Sequence, residues 1–168
     1  MELSTHAKGV VTELAVQQAF IKHGFGVSVP VLPTSRYDMI ADIDGNLFKV
    51  QIKTAKKLPD SDGFMIRTKS TRTHRYGVSV VKYTADEVDM FATCYNGDVY
   101  VVPQYLAQGT QFIFRNSSAS NQKSGIHFAS DFKLDNVVEK WRNQSLQFNN
   151  NQLYLNNNIL WLYNIIQI

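Results

Sequence analysis

The sequence predicts a domain that mixes helices with strands, and three stretches predict it. Residues 6–23 carry apolar side chains at helical spacing. Residues 38–53 read as two alternating strands around a tight turn, and residues 131–147 return to helical spacing. The chain has 168 residues, enough for one domain with a real core and too few for two ordinary ones.

The first helix is expected to start at a Ser4 or Thr5 cap and to end at Gly24. Val10, Val11, Leu14 and Ile21 fall on one stripe, taken as its buried face. Glu13 lies roughly 100° from the centre of that stripe, at the edge of the buried face. Residues 25–32 follow as a strand in which Val27, Val29 and Val31 alternate. Pro30 and Pro33 mark it as an edge strand or bring it to an early end.

The stretch from Ser35 to Thr54 organises the rest. Met39, Ala41 and Ile43 alternate with Asp38, Ile40 and Asp42; Phe48, Val50 and Ile52 alternate with Lys49, Gln51 and Lys53. If Asp44 and Gly45 are the two central turn residues, Ile43 pairs with Asn46. Counting outward, Asp38 then faces Gln51, and Arg36 faces Lys53. Directly opposed residues share a face, with Cβ atoms about 4.5–5.5 Å apart. A turn at Gly45-Asn46 would pair Asp38 with Lys53 and keep all three on one face. A three-residue loop without a bulge would put Asp38 on the other side.

Residues 55–77 form a basic segment: Lys56, Lys57, Arg67, Lys69, Arg72, His74 and Arg75, interleaved with hydroxyl side chains, with a strand expected near 64–68. Long basic side chains among hydroxyls suit phosphate contacts. Strands are expected at 77–82, 90–95, 99–102 and 111–115, the middle two joined by an Asn96-Gly97 turn. The helix at 131–147 presents Leu134, Val137, Val138 and Trp141 on one face. Six asparagines between Asn149 and Asn158 set off a tail, 149–168, whose end is apolar. The expected organisation is one domain over 1–148, with a core at about 6–103, followed by that tail.

Net charge is +3, from 17 basic and 14 acidic residues, so a nucleic-acid partner depends on clustering of the basic residues and not on bulk charge. Cys94 is the single cysteine, which excludes an internal disulfide and reads as a small strand hydrophobe. The four histidines have no metal spacing, and there is no Gly-x-Ser-x-Gly elbow or Gly-rich phosphate loop. The N-terminus lacks a secretory pattern, and no apolar run reaches the roughly 20 residues of a membrane span. The expected setting is intracellular, in cytoplasm, nucleoid or organelle, without a membrane partner.

The hairpin residues suggest a chemistry. Mg²⁺ takes hard oxygen ligands and keeps several waters. Asp38, the Gln51 amide oxygen and the Ile52 main-chain carbonyl offer three such ligands from one sheet face. Glu13, on a helix expected to pack over that face, would add or orient a fourth through water. Such an ion activates a phosphoryl group and a water. Lys53 beside it would orient the attacking water and stabilise charge developing on phosphorus.

These residues also form a recognisable pattern. Lys8-Gly9-x-x-x-Glu13, Gly24-Phe25-x-Val27, Tyr37-Asp38 and Val50-Gln51-Ile52-Lys53-Thr54 resemble the PD-(D/E)XK nuclease superfamily. The nearest branch is the homing endonucleases of group I introns, similar in core to archaeal Holliday-junction resolvases. Residues 86–95 and 99–103 resemble the strand pair that follows the core in that branch.

The resemblance implies an α/β restriction-endonuclease-like core, a central mixed sheet flanked by helices, with a C-terminal helical extension. It also implies a Mg²⁺-dependent endonuclease, with Mn²⁺ as a substitute, that cuts double-stranded DNA as a homodimer or homotetramer. Glu13 matches the helix glutamate, Asp38 the first aspartate, Gln51 the (D/E) position and Lys53 the lysine. The implied DNA contacts are Lys8 and the basic residues between 56 and 75. Two positions depart from the pattern. Tyr37 stands where proline is usual, and Gln51 replaces a carboxylate, which leaves the site with less negative charge. A junction resolvase, a restriction-type nuclease with the same core, and a DNA-binding module that has lost its chemistry are the alternatives.

Overall fold

The backbone is built on a five-stranded sheet in the order β1-β2-β3-β8-β9. Its strands are β1 (Gly26–Ser28), β2 (Met39–Ile43), β3 (Asn46–Ile52), β8 (Met90–Tyr95) and β9 (Asp98–Pro103). β3 and β8 run parallel and the other neighbours antiparallel, so the sheet is mixed. The structure, a computed structural model, describes residues 2–59, 61–117 and 125–149, with backbone alone at 72–74 and 144–149. The tail beyond residue 149 and most of the polar loop after Arg115 lie outside the described residues. Among the described residues, no helix is long and apolar enough to cross a membrane.

Alternation along the central strands divides the core in two. Met39, Ala41, Phe48, Val50, Ile52, Met90, Ala92, Val99 and Val101 belong to one cluster. It is closed by Val16 and Phe20 of α1 (Thr5–Lys22), and by Leu134, Val137, Val138 and Trp141 of α3 (Leu134–Asn149). Phe91, Tyr100 and Val102 point the opposite way into the second cluster. There they meet Phe64 and Ile66 of β5 (Gly63–Ile66), Phe112 and Phe114 of β10 (Phe112–Arg115), and Phe132 of α2 (Ala129–Phe132). β5 is the middle strand of a smaller sheet, between β10 and β4 (Lys56–Lys57). Among the described residues, β6 (Lys69–His74) and β7 (Gly77–Lys82) pair only with each other, as a ribbon. The result is an α/β fold whose central mixed sheet is flanked by helices, including C-terminal ones.

Several sequence expectations shift. The stripe assigned to the buried face of α1 is the exposed one: Val10, Val11, Leu14 and Ile21 are all 40% exposed or more. The helix packs through Thr12, Val16 and Phe20, with Ala19 alongside. Phe20 supplies the buried area, and the small Ala19 fits against the core beside it. The strand expected at 25–32 shrinks to Gly26–Ser28 at the sheet edge, and Val29 and Val31 are exposed. The basic segment holds strands β4 and β6, which its charge concealed. The helix expected at 131–147 is broken at Lys133, which is extended, bridges to Tyr100 and pairs with Asp98 at 2.8 Å.

Candidate active site

The tight turn is where the site begins. Asp44 has φ 50° and Gly45 φ 82°, both left-handed, as a two-residue hairpin turn requires. The Gly45 N–H donates to the Asp42 carboxylate at 2.9 Å, and Ile43 pairs with Asn46. Of the turns that the sequence allowed, Asp44-Gly45 is therefore the one present. The register runs out to Met39 opposite Val50, and the Asp38 N–H donates to the Val50 carbonyl at 2.9 Å. Asp38 consequently sits across from Gln51, and Lys53 falls on the same face.

The polar groups converge closely. Asp38 Oδ2 accepts the Ile52 N–H at 2.6 Å and also accepts from Gln51 Nε2. The same Nε2 donates to the Ile52 carbonyl at 3.3 Å, and Gln51 is only 6% exposed. Burial raises the Asp38 carboxyl above the ordinary aspartate value, against the opposing pull of the Ile52 N–H and the Lys53 charge. Burial also raises Glu13, with the Asp38 charge as the second cause and His6 opposing. The two carboxyls therefore sense each other. Lys53 Nζ donates to the Tyr83 hydroxyl at 2.7 Å.

This donor set fits a hard divalent cation. A carboxylate oxygen and a main-chain carbonyl both point at the Gln51 amide, a position occupied here by a polarised NH₂. Turning the amide about its terminal bond would present Oε1 instead, because the two ends of the group have almost the same shape. Carboxylate, amide and carbonyl oxygens would then face one point, with Glu13 nearby, in the chemistry that Mg²⁺ prefers. Among the described residues no group of three His, Cys, Asp or Glu side chains gathers anywhere.

Asp38, Gln51, Ile52 and Lys53 are thus assembled as expected, but Glu13 arrives by another route. α1 does not pack over their face. Val16 and Phe20 lie in the cluster of Val50 and Ile52, on the opposite side of the sheet. Glu13, half-buried at about 60° from the centre of the Thr12–Val16–Phe20 stripe, approaches Asp38 from that side.

The expected DNA contacts are dispersed. Lys8 pairs with Glu2 at 2.6 Å near the start of α1. Lys56 and Lys57 are exposed on β4, and Arg67 is exposed between β5 and β6. Lys69 is half-buried at the ribbon's base, and Arg75 is exposed at its tip. Arg72 and His74 pair through their backbones with Ser79 and Gly77, and their side chains lie outside the described residues.

Three further residues border the site that sequence reasoning did not single out: Arg36, Tyr83 and Glu87. Arg36 donates to both Glu87 carboxylate oxygens, at 3.0 and 3.2 Å, and its guanidinium lies 4.2 Å from the Tyr83 ring centre. The register that opposed Arg36 to Lys53 carried the signal for the first of them.

The pattern described as PD-(D/E)XK endonuclease matches residues 3–135, most of the chain and all of these groups. The protein belongs to the PD-(D/E)XK endonuclease family. A PD-(D/E)XK assignment agrees with the fold: the structure is similar to that of a bacterial homing endonuclease, I-Ssp6803I, with a TM-score of 0.66 and 21% identity. That match covers 89% of this chain and 98% of the other. Protein 5.3 of Escherichia phage T7 is 31% identical over 96 residues, 57% of this chain and 77% of the phage protein.

Proposed function

We propose that this family member is a metal-dependent, site-specific endonuclease that hydrolyses phosphodiester bonds in double-stranded DNA. The observation that carries the reading is the convergence of Asp38, the Gln51 amide and the Ile52 carbonyl beside the Lys53 ammonium. Asp38, Gln51 and the Ile52 carbonyl would hold Mg²⁺, or Mn²⁺ in its place, with Glu13 directly or through water. The ion, when bound, supplies Lewis acidity to the phosphoryl group and to the attacking water. Lys53 orients that water and offers positive charge where negative charge grows on phosphorus. Burial raises both Asp38 and Glu13, and a bound divalent cation would pull both toward the charged form. With Gln51 neutral, these two carboxyls supply the negative charge of the site.

DNA would lie along the basic strands. Lys56, Lys57 and Arg67 are exposed, and Lys69 and Arg75 stand at the two ends of β6 and its turn. A two-stranded ribbon fits the major groove, which is about 12 Å wide. Between Lys69, Lys82 and Arg75 the ribbon exposes Thr71, Val78 and Val80, side chains suited to base edges and thymine methyls. One such site hydrolyses one strand, so cutting both calls for a homodimer or homotetramer. The likeness to a homing endonuclease supports an intron-homing role inside the cell.

The test is incubation of the protein with a double-stranded DNA library under Mg²⁺ and under chelator. Discrete fragments that appear only with the divalent ion are expected. Equal cleavage with chelator present would overturn the metal-dependent reading.

A further inference from the structure

The side chain of Lys53 is long, and its position is decided by a residue outside the motif. Its ammonium donates to the Tyr83 hydroxyl at 2.7 Å and lies 4.7 Å from the centre of that ring. Tyr83 itself is fixed from several sides. Tyr83 is 8% exposed, and Phe91 packs edge-on against its ring at 5.5 Å. Gln104 donates to its main-chain carbonyl at 3.0 Å. The Arg36 guanidinium also lies against the ring, 4.2 Å from its centre. Arg36 is held in turn by Glu87, and at 3.1 Å by the Lys82 carbonyl.

Arg36 therefore lies against the electron-rich ring, while Lys53 meets the same side chain at its hydroxyl. Glu87 offsets the charge that two neighbouring cations would otherwise leave unbalanced. Tyr83 also directly follows β7, the second strand of the basic ribbon.

We propose that Tyr83 is a positioning residue for Lys53, and that Arg36 and Glu87 hold it in that role. The inference rests on the reading of Lys53 as the lysine of the hydrolytic site. A free lysine side chain populates many rotamers, and ordering it carries an entropic cost. A buried phenol at hydrogen-bond distance meets that cost before substrate arrives. The ammonium is then already placed when a phosphate enters. The phenol accepts one of the three ammonium hydrogens and leaves two for the water and the phosphate oxygens.

Tyr83→Phe keeps the ring and removes only the hydroxyl. Single-turnover cleavage in Mg²⁺, equilibrium DNA affinity and thermal melting are measured on this variant and on Lys53→Ala. The expected result is a rate about tenfold lower for Tyr83→Phe, with unchanged DNA affinity and a melting temperature lowered by no more than about 6 °C. A wild-type rate for Tyr83→Phe, with Lys53→Ala inactive, would overturn the positioning role and leave the site reading intact. A matching fall in rate and affinity would also overturn it, because Tyr83 would then be a DNA contact. A wild-type rate for Lys53→Ala would overturn the site reading itself.

Discussion

Glutamine at position 51 is the feature that most separates this site from the usual PD-(D/E)XK pattern, and Gln51→Glu probes it. In the protein as it stands, the amide donates to both Asp38 and the Ile52 carbonyl. Glutamate would lose both contacts and set two carboxylates side by side in a pocket where Gln51 is 6% exposed. At a charge separation of about 4 Å and an effective dielectric near 20, the repulsion is about 4 kcal/mol. The alternative is for one carboxyl to take up a proton. From a glutamate value near 4.3, that costs about 1.36 × (7 − 4.3), or roughly 3.7 kcal/mol at pH 7.

The two routes agree, so the metal-free variant should lose about 3–4 kcal/mol at neutral pH. For a chain of this size that is a fall of about 6–16 °C in melting temperature. The loss should shrink toward pH 4, where the extra proton is bound at little cost. Millimolar Mg²⁺ should recover most of it, because the added charge strengthens the ion's site. Melting by circular dichroism, with chelator and with Mg²⁺ across that pH range, provides the assay. A variant that melts with wild type in chelator at pH 7 would show that residue 51 does not face Asp38.

Two further outcomes follow from the geometry. The raised Asp38 and Glu13 carboxyls are neutral more readily in the folded chain than in the unfolded one. Their contribution is complete below the ordinary carboxylate range and is lost as pH rises through their elevated values. Metal-free protein should therefore lose stability across that window, and Asp38→Asn should flatten the change; an equally steep profile in the variant would remove Asp38 as its source. Arg67→Ala and Arg75→Ala should each lower the slope of log affinity against log salt by about 0.9 if each contacts a phosphate, and an unchanged slope would place that residue outside the DNA interface.

The hairpin was legible because its register hangs on local chemistry. Asp44-Gly45 supplies two left-handed positions, and counting from the turn fixes every pair out to Asp38 and Gln51. The face of α1 was not legible. Hydropathy selects Val10, Val11, Leu14 and Ile21, whereas packing selected Thr12, Val16 and Phe20 on the other side. Glu13 was still placed at the edge of the buried face, because an edge residue borders both faces of its helix. The side of the sheet it comes from could not be read from one helix alone. Tyr83 carries no local signal for a related reason. It lies 30 residues beyond Lys53 in a strand-to-turn segment, and only the three-dimensional fold brings its hydroxyl to the ammonium. The first ribbon strand was hidden by its charge, since β6 carries no apolar residue to show a period, whereas β7 is the strand expected at 77–82.

Asp38 is proposed to organise a hydrolytic site and not merely to support the hairpin. The most direct measurement pairs cleavage with binding for Asp38→Ala on one double-stranded DNA substrate in Mg²⁺. Cleavage is expected to fall by at least about a hundredfold while DNA affinity changes by less than about threefold. An Asp38→Ala protein that cuts at the wild-type rate would contradict that role.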